Sequence, residues 1–253
     1  MSDNYTLGRG IVYLSLYDDQ GNLKAERDVG NAPELNFNVD ISTLEHFSSR
    51  SGIKSKDKEI VTEVKPSLSF ILDEMNVENL RMFFLGDAGV KIEQAAETGV
   101  TNTINANFKK YVDLSKREVS NVVVKNSDDT VTFVENTDYI VDYKSGSILA
   151  LSSGSITDNQ ELNVTFNNDA CNYVDIEALK TANFEAQLRY VSDNPVGPEF
   201  VFLAWKVMIK PDGDLSLIGS EEISTLSFNA EILKDEANHP SNPYIKFTVI
   251  TAN

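Results

Sequence analysis

The sequence predicts an all-β protein with one packed α-helix and a small β insertion. Three observations carry that class. Several segments alternate apolar and polar residues with period two, one segment has helical spacing, and the middle of the chain is rich in turn-forming residues between short apolar runs.

The clearest alternation runs from 34 to 42, where Leu35, Phe37, Val39 and Ile41 interleave with Glu34, Asn36, Asn38, Asp40 and Ser42. A pleated strand sends these two sets to opposite faces, one dry and one wet. After the segment LEHFSSRSGIKSKDK (44–58), Val64, Leu68 and Phe70 alternate in the same way with Glu63, Lys65, Ser67 and Ser69. Pro66 has no amide hydrogen to give a ladder, which predicts an edge or a bulge at that point. The two strands form a hairpin, and residues 44–58 read as a long loop carrying Arg50, Lys54, Lys56 and Lys58 with Phe47 and Ile53 among them.

In DEMNVENLRMFFLGD, Asn76 predicts an N-cap, Glu78 sits in the first turn and Gly86 is the expected stop. Val77, Leu80, Phe83 and Phe84 are the face expected to meet the sheet. Residues 94–172 hold the short runs NVVVK, TVTFV, YIVDY, SILAL and LNVTF, read as an inserted or outer β subdomain. The expected division is therefore 1–93 and 173–253 for the main domain, with 94–172 between them. In the C-terminal part, Leu203, Trp205, Val207 and Ile209 alternate with Lys206 and Lys210. PDGD then turns the chain, Leu226, Phe228, Ala230 and Ile232 follow, and YIKFTVI is expected to close the sheet through Ile245, Phe247 and Val249.

Charge excludes some functions. A net charge of −17 argues against tight nucleic-acid binding, which draws on Lys and Arg. One cysteine, Cys171, excludes an internal disulfide framework and fits a reducing compartment. The N-terminus MSDNYTLGRG has no apolar core of a secretory signal, and no apolar run approaches the roughly 18 residues of a membrane helix. A soluble chain folded in the cytoplasm, with no membrane insertion, is the expectation.

Catalytic chemistry is poorly represented. His46 and His239 are two histidines in loop-like segments, read as solvated or interface residues rather than ligands. Cys171 reads as a small buried residue. LGRGIV has too few glycines for a phosphate loop and enters a strand. Asp212, Asp214 and Glu221 lack the spacing of a calcium loop, and PDGD is an ordinary turn. No enzyme activity and no cofactor or metal are expected.

GRGIVYLSLYDDQGNL, the stretch from DVGNAPELNF through FFLGD (28–87), and LRYVSDNPVGPEF with IKPDGDLSLIGSEEISTLSFNAEILKD together resemble the major tail tube protein of long-tailed bacteriophages. NTDYIVDYKSGSILAL resembles a strand pair such proteins carry. The combination of TLEHFSS.SGI with ENL..FFLGD is the more specific part, and the similarity spans nearly the whole chain.

The resemblance implies a tail-tube-type β-sandwich or barrel subunit that contributes strands to an inner β-barrel shared between subunits. Homohexameric rings would stack into a hollow tube in the virion tail, assembled in the host cytoplasm and meeting tail initiator (distal tail) and tail terminator proteins. DNA would pass through without tight binding. On that reading the wet face, Glu34, Asn36, Asn38, Asp40, Glu63, Lys65, Ser67 and Ser69, lines the lumen and repels phosphates, with Lys65 paired to a neighbouring carboxylate. The segment 44–58 becomes an inter-ring joint through Glu45, His46, Phe47, Arg50, Ile53, Lys54, Lys56 and Lys58. A sheathless, non-contractile tail is expected. The alternative is a β-sandwich binding module for carbohydrate or a cell surface, against which the tyrosines Tyr111, Tyr139, Tyr143 and Tyr173 count as scattered. A hydrolase on a β scaffold fits least.

Overall fold

The computed structural model describes residues 5–50, 52–87, 89–219 and 223–250. It is all-β with a single short helix. In chain order the elements are β1 (Gly10–Leu16), β2 (Arg27–Asp28), β3 (Glu34–Ser48), β4 (Ser55–Leu72), α1 (Val77–Phe83), β5 (Val90–Gln94), β6 (Glu97–Asn105), β7 (Val112–Asp113) and β8 (Val119–Asn126). Then come β9 (Tyr139–Asp142), β10 (Ser147–Ala150), β11 (Glu161–Asn168), β12 (Cys171–Asp175), β13 (Phe184–Ser192), β14 (Glu199–Pro211), β15 (Leu226–Ile232) and β16 (Ile245–Ile250). The chain divides into one unit of Met1–Gly89 with Ile176–Asn253 and a second of Val90–Asp175.

The first unit is one branched antiparallel sheet in the order β2-β1-β13-β14-β15-β4-β3. One edge of β14 serves two neighbours, β16 along Glu199–Ala204 and β15 along Val207–Pro211, so the sheet forks there. Its core joins Val12 and Leu14 of β1, Leu68 and Phe70 of β4, Leu188 of β13, Ile209 of β14 and Phe228 of β15. Phe70 stacks on Phe228 with ring centroids 5.1 Å apart.

The alternation expected in β14 is out of phase along half its length. Phe202, Ala204, Val207 and Ile209 are buried, whereas Leu203 and Trp205 are half-buried. The register against β13 shifts between Ala186 and Leu188, where two residues of β14 oppose one of β13. Such a bulge flips the face presented by every residue on one side of it.

Helix α1 lies over β14 and β15. Asn76 caps it as expected, its side chain accepting from the Asn79 amide at 2.9 Å. The buried face is Asn79 and Met82, flanked by half-buried Leu80 and Phe83, while Val77 at the start is exposed. The helix has only two turns, so its core stripe is narrower than the expected four-residue face. The stop also differs. Leu85 takes the left-handed conformation (φ 50°), the Gly86 amide bonds the Arg81 carbonyl and the Leu85 amide bonds the Met82 carbonyl, a Schellman closure. Gly86 serves a close approach instead, since a β-carbon there would sit 2.5 Å from Ile176.

In the second unit β6-β11-β8 and β7-β10-β9 form three-stranded sheets and β12 pairs β5. Leu114, Val124, Tyr139, Ile148, Leu162, Val164 and Phe166 make its core. TVTFV is not a strand: pairing within it is limited to an isolated bridge from Thr132 to Lys125. Cys171 is half-buried at the start of β12 rather than sealed in the core.

Candidate assembly surface

The hairpin β3–β4 is longer than its neighbourhood. β15 accompanies β4 only from Ser67 to Leu72, and beyond Pro66 the hairpin continues as a bare two-stranded ribbon. Pro66 sits where the ladder to β15 ends, the place at which a missing amide hydrogen does least harm. Residues 39–48 with 55–66 project for roughly 30 Å at the usual rise per residue. A two-stranded ribbon is marginal in water by itself.

The segment 44–58 is mostly strand. Glu45, His46 and Phe47 belong to β3 and Lys56 and Lys58 to β4, so the connection is 49–54, with Arg50, Ile53 and Lys54. Two bulges tighten the ribbon's twist, leaving Thr62 and Asp57 unmatched across the ladder. His46 pairs with Asp57 at 2.6 Å, so it is a strand residue with a partner rather than a loop histidine. Lys56 is not a free cation either, for its Nζ lies 2.6 Å from Glu45 and 2.7 Å from Glu59. Glu45 and Glu59 face each other across the ladder, an arrangement that destabilises a sheet unless a cation bridges it. Those two glutamates raise the Lys56 pKa, and Lys56 lowers that of Glu59. Arg50, Lys54 and Lys58 form no ion pair among the described residues.

The cross-strand register brings the wet-face candidates together. Asn36 lies opposite Ser69, Asn38 opposite Ser67 and Asp40 opposite Lys65, with Glu63 and Glu34 on the same face. Lys65 donates to Glu63 at 3.0 Å, which raises its pKa, and leaves Glu34 and Asp40 without an ion pair among the described residues. The opposite face is apolar. At the body it is core, with Leu68 and Phe70 2% and 1% exposed, but along the ribbon Val39, Ile41, Val64 and Val61 are 41–57% exposed. Beyond the bulge, Leu44 and Ile60 add exposed apolar groups on the other face.

Three further features were missed in the sequence. β16 does not close the sheet: among the described residues it pairs with β14 alone, and Phe247 and Val249 are about half-exposed. Phe247 with Phe37, Phe200 and Tyr190 makes an open aromatic surface around buried Phe202, Phe200 and Phe247 being 5.0 Å apart, at a groove of about 280 Å³ that Arg9 also lines. The alternation of Phe200, Phe202 and Phe247 was the available signal. The loop between β14 and β15 exposes Leu217 and Ile218 almost fully. Among the described residues β3 has no partner on its outer edge along its whole length, a liability that native proteins usually blunt or cover.

Among the described residues no group of three His, Cys, Asp or Glu is placed to hold a metal, and Glu221 lies outside them. His239 stacks on Trp205 at 3.6 Å and pairs with buried Asp235 at 2.9 Å, an internal contact rather than a solvated side chain. Among the described residues no helix is long and apolar enough to cross a membrane.

No curated protein matches the chain. A sequence profile of the family described as "protein of unknown function UCP028589" matches residues 5–251, and the chain belongs to that family.

Proposed function

We propose that the chain is a non-enzymatic structural subunit that polymerises, as stacked hexameric rings, into the hollow tail tube of a bacteriophage. The observation that carries this reading is the bare ribbon, which up to the bulge at Thr62 has one face of acidic and neutral polar groups with Lys65 and one apolar face that has no cover in a single copy. Apolar surface in one continuous stripe marks an interface. The resemblance of residues 8–23, 28–87 and 188–235 to tail tube proteins supplies the tube and the hexamer.

In this assembly the ribbons stand side by side around the axis. Glu34, Asn36, Asn38, Asp40, Glu63, Lys65, Ser67 and Ser69 face the lumen, and Val39, Ile41 and Val64 press outward against a neighbouring copy. Head-to-tail contacts of this kind close into rings, and the free β3 edge gains a partner. An acidic lumen repels phosphates, so DNA slides through without binding. The inter-ring joint is the distal ribbon and its 49–54 tip, where Arg50, Lys54 and Lys58 meet carboxylates of an acidic neighbour. Initiator and terminator proteins of the tail are the remaining partners, and the tail is sheathless.

Negative-stain microscopy of the purified chain at high concentration tests the reading. Rings or tubes with a central channel are expected from the full chain. A variant with the ribbon shortened by removal of 43–61 should fold and yet form no tubes. A full-length chain that stays monomeric at every concentration, alone and with tail initiator proteins, overturns the proposal.

A further inference from the structure

The second unit carries a groove of about 380 Å³. Tyr111 and Tyr173, drawn from distant parts of the insertion, line it together with Asp113, Ser115, Lys116 and Arg117 of the turn 113–118. That turn is strained. Ser115 (φ 60°) and Glu118 (φ 50°) both sit in the left-handed region, which a β-carbon disfavours.

Three constraints hold the turn there. The Asp113 carboxylate accepts from the Ser115 amide at 2.8 Å. The side chain of buried Gln94 grips Arg117 by the backbone, donating to its carbonyl at 2.7 Å and accepting from its amide at 3.0 Å. The Leu114 amide donates to the Gly146 carbonyl at 2.8 Å, and a β-carbon on Gly146 would lie 1.6 Å from the Lys116 carbonyl oxygen, so only glycine admits the turn. Strain that the surroundings over-determine in this way is a mark of functional sites.

What the turn delivers is a placed cation. The Arg117 guanidinium lies 4.9 Å from the centroid of the Tyr173 ring, exposed, and makes no ion pair among the described residues. Its neighbour Lys116 is already matched to Glu97 at 3.1 Å. No aliphatic side chain lines the groove; its walls are tyrosine rings, hydroxyls and charged groups. That lining offers no slot for an apolar peptide anchor. It suits a ring with one apolar C–H face and a rim of hydroxyls.

We propose that this groove binds an acidic saccharide, its ring stacked on Tyr111 and its carboxylate held by Arg117. A planar guanidinium braced on an aromatic face presents paired donors to a carboxylate. Asp113 and the Ser145–Ser147 hydroxyl pair, 2.9 Å apart, are placed to meet sugar hydroxyls. This inference is independent of the assembly reading.

Titration of the full chain with a galacturonic acid trimer, followed by NMR, tests it, with maltotriose and polyglutamate as comparison probes. Arg117→Gln and Tyr111→Ala should each weaken binding of the trimer by about tenfold, while Tyr111→Phe keeps it. Both residues are exposed, so the variants should melt like the parent. Maltotriose should bind about tenfold more weakly than the charged trimer, for want of the carboxylate. The proposal is overturned if the trimer does not bind, if Arg117→Gln and Tyr111→Ala leave its affinity unchanged, if maltotriose matches it, or if polyglutamate binds as tightly, which would make the ligand an acidic peptide.

Discussion

The two halves of the β3–β4 hairpin carry one pattern and meet two environments. Near the body, Leu68 and Phe70 of the apolar face are buried in the core of the first unit, while Ile41 and Val64 of the same face, a few residues farther along, are 53% and 47% exposed. Alternation therefore reports which face is meant to be dry, and the covering surface is a separate matter. In the first half the chain supplies its own cover. In the second the described residues supply none, so a single copy leaves the apolar stripe in water, and on the proposed assembly a neighbouring subunit is the cover.

The sharpest way to break this comparison is one truncation on each side of it. Phe70→Ala removes a ring stacked 5.1 Å from Phe228 in the sealed half, and should destabilise the subunit by about 3–5 kcal/mol in denaturant unfolding. Ile41→Ala on the bare half should change monomer stability by less than about 1 kcal/mol and yet suppress tube formation. If Ile41→Ala lowers monomer stability as Phe70→Ala does, the ribbon is covered within one copy and the division between the halves is wrong.

A smaller effect is expected at the polar joint that anchors the covered half. Asn79 is fully buried on α1, its amide donating to the carbonyls of Val29 (2.8 Å) and Glu74 (2.9 Å) while its oxygen accepts from Arg27 at 2.8 Å. Burial pushes the Arg27 pKa down, with Glu78 opposing, and its Nε has no partner among the described residues. Asn79→Ala would strand two carbonyls and a guanidinium nitrogen, a loss of about 1–3 kcal/mol by chemical denaturation. Assembly geometry should survive, because the joint lies away from the ribbon.

Much of this was legible in the residues. Leu35, Phe37, Val39 and Ile41 announced the dry face of β3, and Asn76 announced the start of α1. What stayed hidden depends on contacts between distant segments. The bulge in β14 that exchanges Trp205 for Ala204 on the inner face arises from its pairing with β13, and no local signal marks it. The length of β3 and β4 was hidden because Glu45, His46 and Lys56 look like loop residues until the ladder draws them into the hairpin. Tyr111 and Tyr173 look scattered until folding of the insertion places both on one groove.

The smallest expected effect concerns what keeps the bare half ordered without a cover. Its apolar face gives it little, and the bridge of Lys56 between Glu45 and Glu59 adds a small increment to the backbone ladder and the His46–Asp57 pair. The bridge raises the Lys56 pKa above its ordinary 10.5, so this contribution is complete below that value and is lost as pH rises through the folded one. Glu59 is lowered from 4.5, so its contribution is present above that value and is lost as pH falls through the folded one. Amide exchange in residues 43–60, scaled for intrinsic rates, should therefore show protection that is flat through neutral pH and falls at both extremes, with protection in β13 and β14 unchanged. Lys56→Met should lower ribbon protection at neutral pH, where Glu45 and Glu59 would repel each other, and acidification should partly restore it. A ribbon whose protection ignores both the substitution and the pH is held by something other than this bridge.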